Sequence, residues 1–173
     1  MTGVHRVGGT DAGQEITVCQ LLSHTTGIPD YLEIRDRDGK TLIDRVSENP
    51  EMTWGIRDIL AIVREADQPL FAPGETAGNR ARARYSDTNY QILAEMIRNL
   101  MDADVDSVME ELLWEPLGLQ MTTLPGGKPA GDTAATADVR LGKEVFSISE
   151  ASMRSFGDLH STASDLIRFS VPC

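Results

Sequence analysis

Apolar positions recur at three- and four-residue spacing along several stretches of the chain, and each stretch predicts a helix that buries one stripe. The longest is Ile92, Leu93, Met96, Ile97 and Leu100, which predicts a helix over 87–101 with Ser86 or Asp87 as its N-cap. Ile56, Ile59, Leu60 and Val63 predict another over 56–66, closed by Pro69. Thr17 is the candidate cap of a short helix carrying Val18, Leu21 and Leu22, which stops near Gly27 with Pro29 beyond it. Asp104 or Asp106 opens a further helix with Val108, Leu112 and Leu113 inward, ending at Trp114, Pro116 and Gly118. Ser161 or Thr162 caps the last, which runs through Phe169 with Leu166 and Phe169 on one side.

Between these stretches the pattern lapses. Residues 1–15, with Gly3, Gly8, Gly9 and Gly13, read as a flexible lead-in, and 30–52 as a charged, solvent-facing connection with one irregular helical turn. Phe71-Ala72-Pro73-Gly74 makes a turn, and 76–82 reads as a loop or a lengthened hairpin. A strictly alternating run follows, Arg80-Ala81-Arg82-Ala83-Arg84-Tyr85, which if extended puts three guanidiniums on one face. Those arginines could bind a substrate carboxylate, although a solvated strand face is the plainer expectation. Pro125 to Gly131 is a glycine- and proline-rich turn whose Gly-Gly-Lys is too short for a phosphate loop, and 139–148 holds a short strand or hairpin.

Composition narrows the partners. The 173 residues, 40% apolar and 25% charged, belong to a globular chain able to bury a core. Sixteen basic against 27 acidic residues give a net charge of −11, which opposes nucleic acid and anionic lipid alike. No apolar run approaches the ~20 residues that cross a bilayer. Cys19 and Cys173 define no disulfide framework, and Cys19 reads as a small packed apolar residue. His5, His24 and His160 are scattered without metal-ligand spacing. Ser23 beside His24 invites a nucleophile-and-base reading, but helix neighbours point about 100° apart, so both are expected to bond local backbone.

The chemistry concentrates at Tyr85-Ser86-Asp87-Thr88-Asn89-Tyr90, the corner between the arginine run and the longest helix. With its surroundings this segment resembles the second motif of the serine β-lactamase and D-alanyl-D-alanine carboxypeptidase superfamily, in particular its class C-like hydrolases and esterases. Four other stretches resemble that family's segments in the same order: Ile16 to Pro29 with its Leu-Leu-Ser-His-Thr-Thr-Gly core, Phe71 to Gly74, Glu115-Pro116-Leu117-Gly118-Leu119, and Asp158 to Phe169.

The resemblance implies a mainly α piece with a few short strands, the helical subdomain of the α+β serine β-lactamase-like fold, over 16–173. It implies Tyr85 as the catalytic general acid/base and Asp87 as a substrate-binding residue, with no cofactor and no metal. Asp87 stands where many relatives carry Asn, so an acceptor replaces an amide donor, which weakens a β-lactam assignment and leaves esters and D-amino-acid peptides open. No serine here is followed three residues later by lysine, and no Lys-Thr-Gly or His-x-Gly occurs. The expectation is therefore the middle of a longer penicillin-binding-protein-like hydrolase, inactive alone, whose partners are a small-molecule or peptide acyl substrate and the missing part of the same domain. Apolar faces at Ile92, Met96 and Leu100 would then be partly bare. The competing expectation is a non-catalytic helical binding module derived from that fold.

Overall fold

The computed structural model describes residues 5–7, 10–66, 69–127 and 137–170, which pack as two compact units. The first comprises the described residues up to Arg45 and Trp54–Met96; the second comprises Val46–Thr53 and the described residues from Ile97 onward.

In the first unit, the stretch expected to be a lead-in carries a small antiparallel ladder, β1 (Arg6–Val7) with β2 (Thr10–Asp11), and buries His5 and Ala12. Helix α1 (Val18–Leu22) starts at Thr17, whose hydroxyl accepts the Gln20 amide while the Gln20 side chain accepts the Thr17 amide. Only Leu21 of its apolar set is buried; Val18 and Leu22 are exposed, and so is Cys19, against the expectation that it packs inside. Five residues make too little helix to bury more than one edge.

The charged connection is more structured than its composition suggests. Tyr31 is fully buried, and α2 (Leu42–Glu48), whose residues from Val46 are counted with the second unit, forms with Leu42 and Val46 buried. Asp36 accepts the amides of Asp38 and Lys40 and a bond from Arg45, so a loop of mixed charge is closed by its own hydrogen bonds. Helix α3 (Ile56–Glu65) falls where its spacing placed it, with Ile59 and Val63 buried and the Asp58 carboxylate accepting the Gly55 amide at its start. A two-residue turn at Gly78 and Asn79 then joins β3 (Thr76–Ala77) to β4 (Arg80–Ala81). The alternation stops there. Arg82 leaves the strand to pair with Glu75 and lie over the Phe71 ring, and Arg84 pairs with Glu33, so two of the three guanidiniums are neutralised within the chain.

Helix α4 (Asp87–Met101) contributes its residues up to Met96 to this unit, with Thr88, Asn89 and Ile92 buried. Its predicted stripe is only partly covered: Ile92 is buried, while Leu100, in the second unit, is 79% exposed.

In the second unit, α5 (Val105–Met109) follows Asp104 and continues through a π-helical turn at Glu110–Trp114 into α6 (Glu115–Leu117), which Gly118 ends in the left-handed conformation. Val108, Trp114 and Leu119 are buried; Leu112, expected inward, is exposed because the wider turn rotates the stripe it belonged to. The hairpin expected in 139–148 is β5 (Arg140–Leu141) with β6 (Glu144–Val145). Helix α7 (Glu150–Phe156) is capped by Ser149 and anchored by buried Ser152, whose hydroxyl lies 2.7 Å from Pro50 O and 2.6 Å from Met52 O. Helix α8 (Ala163–Ser170) is capped by Thr162 and tied by buried Asp165, which accepts the Met121 amide and the Thr122 hydroxyl. Its Leu166, Ile167 and Phe169 are exposed. Residues 128–136 and Cys173 lie outside the described residues.

Candidate active site

Tyr85 sits at the corner before α4, and three crossings hold that corner. The Arg84 amide donates to His24 O at 3.0 Å, the Gly74 amide to Thr25 O at 3.0 Å, and the Leu70 amide to Gly27 O at 2.9 Å. The 24–27 turn is thus stitched to the strands leading into Tyr85, and Gly27, with φ +74°, passes so close to Phe71 that no Cβ fits.

The N-terminal turn of α4 is then pinned by side chains. Ser86, fully buried, sends its hydroxyl to Pro29 O at 3.2 Å instead of capping the helix, and Thr88 donates to the same carbonyl at 2.8 Å while accepting the Tyr31 amide at 3.0 Å. Buried Asp30 accepts the Leu32 amide at 3.0 Å and the Asp87 amide at 3.3 Å. Burial raises the Asp30 pKa above the ordinary carboxylate value, partly opposed by those two amide bonds.

Tyr85 itself is 62% exposed. Its hydroxyl donates to Asp87 Oδ1 at 2.7 Å, and that bond, with a smaller contribution from burial and the charges of Asp87 and Asp30, pushes the phenol up to about 12. A core tyrosine satisfying a buried carbonyl does not describe this geometry: the residue is largely exposed and its hydroxyl donates to a half-buried carboxylate. The motif therefore brings Tyr85 and Asp87 into one pair. It does not bring the arginines, since Arg82 and Arg84 are engaged by Glu75 and Glu33.

Sequence reasoning missed His24. Its ring centroid lies 4.6 Å from Tyr85 and 5.2 Å from Tyr90, and Nδ1 lies 3.3 Å from the Ser86 amide nitrogen and 3.2 Å from Asn89 Nδ2. The expectation that His24 bonds local backbone is corrected: its ring partners are more than 60 positions away, because φ +56° at this residue turns the side chain off the helix end. Ser23, by contrast, does bond locally, to Cys19 O at 2.7 Å. Asn89 was legible only as the continuation of the stripe Ile92 and Met96 back by three and seven positions, a polar residue on an apolar face.

The fold is of the serine β-lactamase-like class of hydrolases. The Beta-lactamase family model matches residues 5–172, and the chain belongs to that family. Among solved structures, a D-stereospecific amidohydrolase from Streptomyces sp. matches with TM-score 0.71 and 29% identity over 96% of this chain and 48% of its own. The D-amino acid amidase from Ochrobactrum anthropi SV3 matches with TM-score 0.60 and 17% identity, over 90% of this chain and 42% of its own. EstCE1, a hydrolase with promiscuous acyltransferase activity, matches with TM-score 0.55 and 20% identity, over 89% and 44%. The last two likenesses concern the fold alone. The chain spans about half the length of each of these solved proteins. No curated protein matches it.

Proposed function

We propose that this chain supplies the proton-handling corner of a serine hydrolase that acylates a serine with an ester or a D-amino-acid amide or peptide and then hydrolyses the acyl-enzyme. Tyr85 is the general acid/base and Asp87 a substrate-facing residue. The observation that carries the reading is the exposed Tyr85 phenol, held at a rigid corner and hydrogen-bonded to Asp87, within a chain of the Beta-lactamase family.

The chemistry follows from the pair. Attack of a serine oxygen on the acyl carbonyl requires its proton to leave, and collapse of the tetrahedral intermediate requires a proton on the departing oxygen or nitrogen. A phenol pushed up to about 12 by a carboxylate acceptor keeps its proton, which suits the donor half of that cycle. To accept one, Tyr85 needs a cation that offsets Asp87; neighbouring Arg84 is paired with Glu33, and no Ser-x-x-Lys nucleophile stands in this sequence. On this reading the 173 residues alone turn over no substrate. The likeness to the D-stereospecific amidohydrolase, at 29% identity, supports an amide substrate.

The test is a chimera in which this chain is joined to the segment of the Streptomyces amidohydrolase that it does not span. Hydrolysis of a D-amino acid amide or ester is expected, and Tyr85→Phe should lower kcat by about 10²-fold or more. An active chimera indifferent to Tyr85→Phe would refute the assignment.

A further inference from the structure

We infer that His24 is a positioning residue for Tyr85, locked by its neighbours as the neutral imidazole that carries its proton on Nε2. The inference deepens the proposed role of Tyr85 and rests on it.

The tautomer follows from donors that cannot be exchanged. The Ser86 backbone amide, a donor only, points at His24 Nδ1 from 3.3 Å, so Nδ1 must be bare to receive it. The second bond is oriented independently. Thr26 Oγ1 accepts the Ile28 amide at 3.1 Å and donates its hydroxyl proton to Asn89 Oδ1 at 2.9 Å. Asn89 therefore presents its Nδ2, a donor, to His24 at 3.2 Å. Thr26 and Asn89 are both buried, so neither has solvent as an alternative partner. Two donors converging on one lone pair leave no place for a proton at Nδ1, and the ring proton resides on Nε2.

The consequence for Tyr85 is geometric. His24 O receives the Arg84 amide and His24 Nδ1 receives the Ser86 amide, so one residue clamps the backbone on both sides of Tyr85 while its ring lies against the Tyr85 and Tyr90 rings. The backbone at His24 is in the left-handed region that a histidine seldom adopts, and these bonds hold it there.

The experiment uses the 173-residue chain with nitrogen-15 in its histidine rings, at mildly alkaline pH. The His24 signals, assigned by their loss in His24→Asn, should show a protonated Nε2 and a bare Nδ1. His24→Asn tolerates the left-handed backbone and keeps an acceptor near Ser86 but removes the ring. In it the Tyr85 and Tyr90 ring protons should lose their ring-current shift, the phenol titration of Tyr85 should move, and far-UV circular dichroism should stay unchanged. Asn89→Asp replaces the donor with an acceptor and should transfer the proton to Nδ1, with loss of protection at the Ser86 amide. A wild-type His24 protonated at Nδ1 overturns the tautomer. A Tyr85 phenol titration unmoved in His24→Asn overturns the positioning role, since the change in ring current follows from deleting a ring 4.6 Å away whatever that ring does. If these spectra come out as expected but the Tyr85→Phe chimera keeps full activity, the catalytic reading fails and the positioning stands; the opposite pair of results removes the positioning alone.

Discussion

Gly27 and Gly39 have almost the same backbone, φ +74° and +76°, and should nonetheless answer an alanine substitution very differently. Alanine in the left-handed region costs ~1–2 kcal/mol, offset by ~0.4–1 kcal/mol because the unfolded chain loses freedom. At Gly39 nothing lies within 4 Å of the added Cβ, so Gly39→Ala stops there, a net loss of about 1 kcal/mol. At Gly27 the Cβ would lie 2.0 Å from Phe71 O, 2.9 Å from its carbonyl carbon and 3.0 Å from its Cδ2. Two of those atoms are backbone, and the two segments that would have to part are joined by the Leu70 amide bond to Gly27 O. Forcing them apart adds overpacking strain of ~1–3 kcal/mol. At ~2–4 °C per kcal/mol for a chain of this size, Gly39→Ala should lower Tm by a few degrees and Gly27→Ala by on the order of 10 °C. Differential scanning calorimetry of both variants reads the difference, and the Tyr85 titration should shift in Gly27→Ala alone, because the displaced turn carries His24. Equal losses at the two glycines would refute the packing argument, since their conformational cost is the same.

Two further outcomes follow from single bonds. Asp87→Asn removes the carboxylate that holds the Tyr85 proton, so the phenol should fall from about 12 toward its ordinary value near 10, read as phenolate absorbance against a Tyr85→Phe blank. The sign for stability is that of a group raised on folding: the contribution is full below pH ~10 and is lost as pH rises through about 12, and in Asp87→Asn that alkaline loss should shrink. Ser152→Ala removes the hydroxyl shared by Met52 O and Pro50 O, the latter keeping the Ser149 amide, and should cost ~1–3 kcal/mol in urea unfolding, a value under ~0.5 kcal/mol showing that water replaces the hydroxyl.

The parts of the fold that could be read in advance are those fixed by local chemistry. The Thr17 cap, the stripe of Ile59 and Val63 and the Thr162 cap each depend on residues within one turn of one another. The motif singled out Tyr85 and Asp87, and two residues this close in sequence make the hydrogen bond that joins them. What fixes the corner was not legible. Asp30, Thr26 and His24 reach α4 across 57 to 65 positions, and the motif that holds His24 and Thr26 does not say what they contact. Tyr31 was hidden for a related reason: a charged segment surrounds it, and only the tertiary arrangement shows that its ring is inside while Asp36 and Arg45 solvate the loop. The arginine run misled in the other direction, since its alternation predicts one strand face but nearby Glu75 and distant Glu33 divide it after Ala81.

The central claim is that this chain holds the proton-handling tyrosine of a serine hydrolase and not its nucleophile. Fluorophosphonate and β-lactam probes followed by intact mass and peptide mapping test it most directly on the 173 residues as they stand. No serine adduct is predicted: Ser86 is fully buried with its hydroxyl on Pro29 O, and Ser23 is bonded to Cys19 O rather than to His24. A stoichiometric adduct on any serine of this chain would contradict the account.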